Sequence, residues 1–324
     1  MKILFSHKFE EVIGVDNLLE AWREFIKGKR SKKDIQEFGL RLMDNIFSLH
    51  ADLANRSYKH GGYQAFKIND PKPRRIHKAS VRDRLLHHAI YRQLYPFFDR
   101  VFVPDSYSCR LNKGTHKAIN RFRKFIYKTS KNNTKTCWVL KCDIRKFFEN
   151  IDHQILINIL ENNIPDKHII WLLKEIINSF SAKQVGVGLP LGNLTSQLFV
   201  NIYMNECDQF VKHKLKAKYY IRYADDFVIL SDNRMRLLSL VRPIKEFLQE
   251  TLKLGLHPKK LSISTVASGI DFLGWVSFPD HRILRTKTKQ RMFKKLNDKN
   301  FQSYLGVLRH GNTYKLQESI VVLK

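Results

Sequence analysis

The stretch "YYIRYADDFVILSDN", residues 219–233, sets Asp225 and Asp226 side by side between two apolar runs. Like charges repel and aspartate is a poor strand former, so the pair needs a reason. One reading is a hairpin turn, because Asp suits turns and the flanking runs alternate as strands do. The other is that the turn holds metal. A third acid, Asp143, lies in the alternating run "CWVLKCDI" (137–144). That alternation puts Trp138, Leu140, Cys142 and Ile144 on one face, and Lys141 with Asp143 on the other. A lone strand-end Asp is ordinarily a helix cap or a solvated turn residue. Three together meet a requirement of phosphoryl transfer, in which a few carboxylates hold two divalent ions about 3.5–4 Å apart. A tight turn lets adjacent acids approach one metal site, and the cation removes the repulsion between them.

The elements that must position these acids are read from periodicity. "VDNLLEAWREFIKG" (15–28) has helical spacing behind Asp16 as N-cap, "GKRSKK" breaks it, and residues 34–55 resume it as a second helix. Gly-Gly and Pro-Lys-Pro signals in residues 58–80 predict a β-hairpin. Ser80 and Asp83 fit a capping box for a helix through residues 84–99, on which His87 and His88 read as helix-face residues rather than ligands. Further helices are expected at 153–162, 166–179, 198–215 and 235–254, and strands at 261–265 and 272–278. The last forty residues read as basic helices. Strands interleaved with helices, without a clean parallel repeat, predict an α+β fold.

Of 324 residues, 58 are Lys or Arg against 30 Asp or Glu, a formal net charge of +28. A solvated basic surface is the bland reading, but an excess this large marks a polyanion partner. The 38 aromatics spread along the chain suit a nucleic-acid channel. No apolar run reaches the length of a membrane span, and "MKILFSHKFEEV" lacks a signal-peptide pattern. Cys109, Cys137, Cys142 and Cys207 show no metal-ligand spacing and read as free thiols of a cytoplasmic protein. A 43% hydrophobic content is ample for one large core or two smaller ones.

"YADDF" resembles the Tyr-x-Asp-Asp box of reverse transcriptases, and "KCDIRKFFENID" (141–152) resembles the partner motif with the other catalytic acid. The resemblance runs in order through nearly the whole chain. "RRIHKASVRDRLLHHAI" and "SCRLNKGTH" resemble fingers motifs, "GLPLGNLTSQLFVNIY" the template-binding motif, "LGLHPKKLSIS" the lysine-bearing motif and "GIDFLGW" the primer-grip hairpin. It implies a right-hand polymerase fold: N-terminal helices and fingers over 1–100, an antiparallel-sheet palm with interleaved fingers elements over 101–280, and a short helical thumb over 281–324.

The implied activity is RNA-templated DNA synthesis from dNTPs, with two Mg²⁺ ions (Mn²⁺ able to substitute) held by Asp143, the Ile144 backbone, Asp225 and Asp226. Phe148 matches the steric gate against a ribose 2′-hydroxyl, whereas Phe147 reads as core. Arg75 matches the triphosphate-binding arginine; for Lys72 and Arg74 a solvated loop competes with that role. Lys260 resembles the lysine near the leaving pyrophosphate, suited to general-acid work, and Lys259 reads as a surface charge. Leu191, Gly192 and Gln197 fall on the nucleotide side, and Tyr223, Gly274 and Trp275 on primer and template.

Many bacterial members carry Gln-Gly and Ser-Pro where this chain has Leu191-Gly192 and Ser196-Gln197. The latter pairs are similar to the reverse transcriptases of diversity-generating retroelements, which copy a template-repeat RNA with errors opposite adenine. That resemblance implies a template RNA, an RNA–cDNA duplex and a basic helical accessory variability determinant as partners, and the short length fits it. Leu191 as a plain packing residue is the competing reading. The rival functions are another bacterial reverse transcriptase (retron, defence or group II intron type) and an RNA-binding scaffold with an idle polymerase fold. An extension assay separates the last from the others.

Overall fold

The computed structural model describes residues 3–69 and 73–322. Its helices are Phe9–Ile13 (α1), Val15–Phe25 (α2), Lys33–Leu40 (α3), Leu42–Ala54 (α4), Val81–Val101 (α5), Thr115–Thr129 (α6), His153–Glu161 (α7), Lys167–Asn178 (α8), Leu194–Gln209 (α9), Arg234–Thr251 (α10), Thr286–Lys295 (α11), Phe301–Leu308 (α12) and Tyr314–Val322 (α13). The strands are Gln64–Ile68 (β1), Arg74–Lys78 (β2), Trp138–Asp143 (β3), Tyr219–Tyr223 (β4), Asp226–Ser231 (β5), Ser262–Thr265 (β6), Ile270–Phe272 (β7), Trp275–Ser277 (β8) and Arg282–Leu284 (β9). All strand pairs between these elements are antiparallel, so the α+β expectation holds. Among the described residues no helix is long and apolar enough to cross a membrane.

Two compact units share the chain, each assembled from three stretches. The first takes Met1–Val103, Arg145–Asp208 and Phe247–Gly255; the second takes Pro104–Ile144, Gln209–Glu246 and Leu256–Lys324.

In the first unit α2 packs on α4 and α5, and α7 on α8. Leu18, Ala21, Phe25, Ile46, Leu49, Leu86 and Ile90 are all but fully buried. Ser80 caps α5 as expected, its Oγ accepting the Asp83 N–H at 3.1 Å, but the reciprocal bond differs from a capping box: Asp83 Oδ2 accepts from the Ser80 hydroxyl at 2.6 Å instead of from its backbone N–H. Asp83 also accepts from Tyr58 Oη at 2.7 Å and from the Gly61 N–H at 3.2 Å. One buried carboxylate thus ties the start of α5 to the loop leading into the β1–β2 hairpin. Helix α9 is buried nearly all round, as a core helix should be.

In the second unit the sheet order is β4–β5–β3–β6, and a separate sheet runs β7–β8–β9. The α6 residues Ala118, Phe122, Phe125 and Ile126 pack on Val139, Ile221, Val228 and Leu230 of the first sheet. The C-terminal helices close around Trp275, Leu284, Met292, Phe301, Leu308 and Ile320.

Several boundaries differ from expectation. The helix expected over 34–55 breaks at Arg41 (φ −121°, ψ 44°). There Asn45 Nδ2 donates to the Phe38 carbonyl at 2.9 Å, replacing a backbone bond with a side-chain one. Gly14, not Asp16, caps α2, and Asp16 lies in its first turn. The strand expected over 272–278 is interrupted: β7 ends at Phe272 and β8 begins at Trp275, because Leu273 (φ 52°) and Gly274 (φ 89°) make a two-residue hairpin turn. Helix α1 and helix α6 were not anticipated.

His87 and His88 do lie on α5, yet His87 is 1% exposed. Burial, with His60, His88 and Arg84 near, holds the His87 imidazole well below its ordinary range. Burial, then Lys29 and Arg84, pushes His88 down to about 4. Both rings are neutral in the folded chain and titrate near 6.5 when unfolded. The unfolded chain therefore binds more protons below about 6.5. Their stabilising contribution is complete above that value and is lost as pH falls toward 4. Urea midpoints should drop over this window, and His88→Gln should flatten the drop. An unchanged slope in the variant would remove His88 from the account.

Candidate active site

All three acids lie in the second unit. The β3–β5 register sets Asp143 directly opposite Asp226, and Tyr223 pairs with Asp226 on the other side. The β4–β5 turn is therefore the two residues Ala224 and Asp225. Asp225 sits at the hairpin tip, its carbonyl accepting the Ile144 N–H at 3.2 Å. Facing carboxylates on neighbouring strands are unfavourable unless something neutralises them. Here Asp143 is 5% exposed and the two side chains hydrogen-bond to each other. Burial first, then that bond and the charges of Asp225 and Asp143, push the Asp226 carboxyl up to about 7; Lys141 acts in the opposite direction.

Lys260 supplies a counter-charge, its Nζ donating to Asp143 Oδ2 at 2.6 Å. The segment before it is fastened to the end of β3: the His257 N–H donates to the Asp143 carbonyl at 2.7 Å, and Ile144 bridges Leu256. Lys259 is exposed, as expected.

Residues that the sequence did not point to hold this arrangement. Arg222 is fully buried; its Nη1 donates to the Ala224 carbonyl at 3.1 Å and its Nη2 to Ser106 Oγ at 3.1 Å. A guanidinium thus braces the turn from beneath. Ala224 holds φ at 55°, a left-handed conformation that costs a non-glycine residue about 1–2 kcal/mol. Thr115 Oγ1 donates to Tyr223 Oη at 3.1 Å, fixing that ring at the start of α6.

Of the expected primer-side residues, Tyr223 ends β4, and Gly274 and Trp275 sit on the β7–β8 hairpin. The Gly274 carbonyl accepts the Arg285 N–H at 3.0 Å, and Arg285 Nε donates to Asp271 Oδ1 at 2.7 Å. The Trp275 ring is 2% exposed in the core of the C-terminal helices. Its side chain packs and does not face outward.

The remaining candidates belong to the first unit, where they form their own group. The His77 N–H donates to the Leu191 carbonyl at 2.9 Å, and Asn193 Nδ2 to the His77 carbonyl at 3.0 Å. The Leu191–Gly192 turn is therefore docked on β2, the strand carrying exposed Arg74 and Arg75. Gly192 has φ 109°, and a Cβ there would meet Ile76 Cγ2 at 2.7 Å, so only glycine fits the contact. The Leu189 N–H donates to the Phe148 carbonyl at 2.8 Å. Phe147 is 4% exposed in the core, whereas the Phe148 ring is half-buried against it edge-on. Gln197 is half-buried in the first turn of α9. Lys72 lies outside the described residues.

The acidic group suits a divalent cation. Two carboxylates sharing a proton near neutrality leave negative charge for a cation to take up, and oxygen donors are what Mg²⁺ prefers. Among the described residues no three His, Cys, Asp or Glu side chains converge as a ready ligand set. Backbone carbonyls, water and substrate phosphate would complete the shell, the usual manner for Mg²⁺.

A family model described as reverse transcriptase (RNA-dependent DNA polymerase) matches residues 66–277. Protein YkfC of Escherichia coli (strain K12) is 26% identical over 249 residues, covering 65% of this chain and 63% of that protein. Group II intron-encoded protein LtrA of Lactococcus lactis subsp. cremoris is 23% identical over 295 residues, covering 70% of this chain and 47% of that protein. The chain thus spans less than two thirds of either relative.

Proposed function

The chain belongs to the reverse transcriptase (RNA-dependent DNA polymerase) family, with the mixed helical and antiparallel-sheet architecture of a right-hand polymerase, and from that premise we propose that it copies RNA into DNA. The observation carrying this reading is the register that sets Asp143 against Asp226 beside the Asp225 turn. Bound divalent ions would activate the primer 3′-hydroxyl and steady the departing pyrophosphate. Asp143 and Asp226 would hold the ions through carboxylate oxygens, with Asp225 and the Ile144 carbonyl completing the protein's share. Lys260, once released from Asp143, carries a proton on Nζ to the leaving group. Arg75, aided by Arg74 and Lys72, grips the triphosphate, and Gly192 with Gln197 lines the nucleotide side. Tyr223 and the Gly274 backbone contact primer or template. Fingers over 1–100, palm over 101–280 and thumb over 281–324 form part of the same proposal. The test is extension of a DNA primer on an RNA template in Mg²⁺ by purified protein; absence of any product would sink it.

The finer reading is a diversity-generating retroelement enzyme, supported by the Leu191-Gly192 and Ser196-Gln197 pairs. Its accessory protein and template-repeat RNA belong to that reading. The similarity to LtrA favours a second one, a polymerase of the group II intron type. The error spectrum separates them. An aliphatic Leu191 gives the nascent pair no hydrogen bond, and a contact of about 1 kcal/mol changes error rates several-fold. Leu191→Gln should lower errors opposite template adenine, as read by cDNA sequencing; an unchanged adenine error rate counts against the retroelement reading. In the same assay, Phe148→Ala should raise ribonucleotide incorporation relative to deoxynucleotide. An unchanged ratio makes Phe148 a packing residue.

A further inference from the structure

The second unit carries a basic track that the proposed polymerase chemistry does not use. On α6, the buried positions Ala118, Ile119, Phe122, Phe125 and Ile126 turn to the core. Lys117, Lys124 and Lys128 stand exposed on the same helix. Lys117 to Lys128 is eleven residues, about 16 Å of helix. The track begins in a cleft of about 450 Å³ beside Pro104, Asp105 and Tyr107, lined by Lys113, Lys117 and Lys124. It ends in a second cleft of about 470 Å³ lined by Lys128, Lys131, Lys216, Lys218 and Arg236.

Two features set this apart from an ordinary solvated face. First, the charge is uncompensated. Lys124, Lys128, Lys131, Lys216 and Lys218 make no ion pair among the described residues. Of the two acids lining these clefts, Asp105 is engaged by Arg121 at 2.8 Å, which leaves Asp232. Second, the far end is built. Lys212 Nζ donates to the Ala217 carbonyl at 3.2 Å and the Lys218 carbonyl at 3.0 Å, holding the loop of Lys216 and Lys218 in place. Aromatic rings line both ends: Lys113 lies over Tyr107 at 5.0 Å in the first cleft, and Lys218 over Tyr219 at 5.5 Å in the second. Cations held beside aromatic rings in a row are how a protein follows a phosphodiester backbone. The apolar face of α6 is turned inward, so the helix has nothing to insert into a lipid surface.

The far end of the track lies away from the acids. Ser231 lines the second cleft, and it is at the opposite end of β5 from Asp226, about 17 Å along the strand. We propose that this track docks a folded RNA by its phosphate backbone, outside the template–primer path, so that the enzyme holds its RNA at a second place while copying it. This rests on the polymerase reading and adds a binding site to it.

The test is the triple substitution Lys124→Gln, Lys128→Gln, Lys218→Gln, all at exposed positions outside the proposed catalytic group. Binding of a long folded RNA should weaken roughly tenfold or more, and the slope of log affinity against log salt should fall by about two to three. Extension of a short primer–template should be unchanged. Unaltered RNA affinity and slope would overturn the proposal. So would a parallel loss of short-duplex extension, which would make the track part of the primer path. Loss of binding to phosphatidylcholine–phosphatidylserine vesicles in place of RNA would likewise overturn it, pointing to a membrane surface. If the unsubstituted chain extends no primer, the polymerase reading fails while the RNA titration still reports on the track.

Discussion

Asp143→Asn is expected to lower primer extension by several orders of magnitude while leaving the fold intact. The substitution keeps the side chain's shape at a site that is 5% exposed and removes one of two facing charges. Three decades of rate correspond to about 4 kcal/mol of lost transition-state stabilisation. A purely structural acid would behave differently. Removing a charge that opposes Asp226 across the sheet relieves repulsion but also ends the Lys260 ion pair, so the metal-free variant should melt close to the parent temperature. The stabilisation that Mg²⁺ gives the parent should shrink, because binding to the folded state raises its melting temperature by mass action. Asp226→Asn should be severe as well. Near-normal synthesis by the Asp143 variant, or an undiminished Mg²⁺ shift, refutes the assignment.

Gly311→Ala should damage the C-terminal helices without touching the acids. A Cβ at Gly311 would stand 2.1 Å from Trp275 Cζ3, 2.8 Å from Cη2 and 2.9 Å from the Arg282 carbonyl. The Trp275 ring has no room to retreat, being packed with Leu284, Met292 and Leu308. Overpacking of this kind costs about 1–3 kcal/mol, and more where backbone must move. Gly306→Ala is the control: it lies in α12 with nothing within 4 Å of the added carbon, and should gain about 0.5–1 kcal/mol from reduced backbone freedom. Urea unfolding followed by tryptophan fluorescence reads both. Equal midpoints for the two variants would mean that Trp275 is not confined as described.

What the sequence disclosed and what it concealed divide along the range of the forces involved. Asp225 and Asp226 were legible because acids between alternating apolar runs are a local signal, and the two-residue turn needs only local geometry. Arg222 was not. Its period-two neighbours read as an ordinary strand, while the groups that help to make its burial tolerable include Ser106, more than a hundred residues away, and the turn itself. Trp275 shows the reverse case: resemblance to a primer-grip hairpin set it beside primer and template, while helices that follow it in sequence close over the ring. Helix α6 has apolar residues at helical spacing, yet its dense lysines and arginines obscured the period. The Arg41 break depends on one asparagine competing for a carbonyl, which no periodicity reveals.

The two compact units interleave along the chain, and this bears on how the protein is made. The first unit lacks its last stretch, Phe247–Gly255, until most of the polypeptide has been synthesised, and the second begins at Pro104 and is finished only by the C-terminal residues. A ribosome delivers the chain from one end, so neither unit can close as a finished body while the N-terminal half alone is available. Long-range contacts must wait, and exposed apolar surface must wait with them. No single cut separates the units either: every truncation between residues 104 and 255 leaves both incomplete. A deletion series should therefore yield aggregated fragments over that whole interval, and a split version should recover only when both pieces are present together.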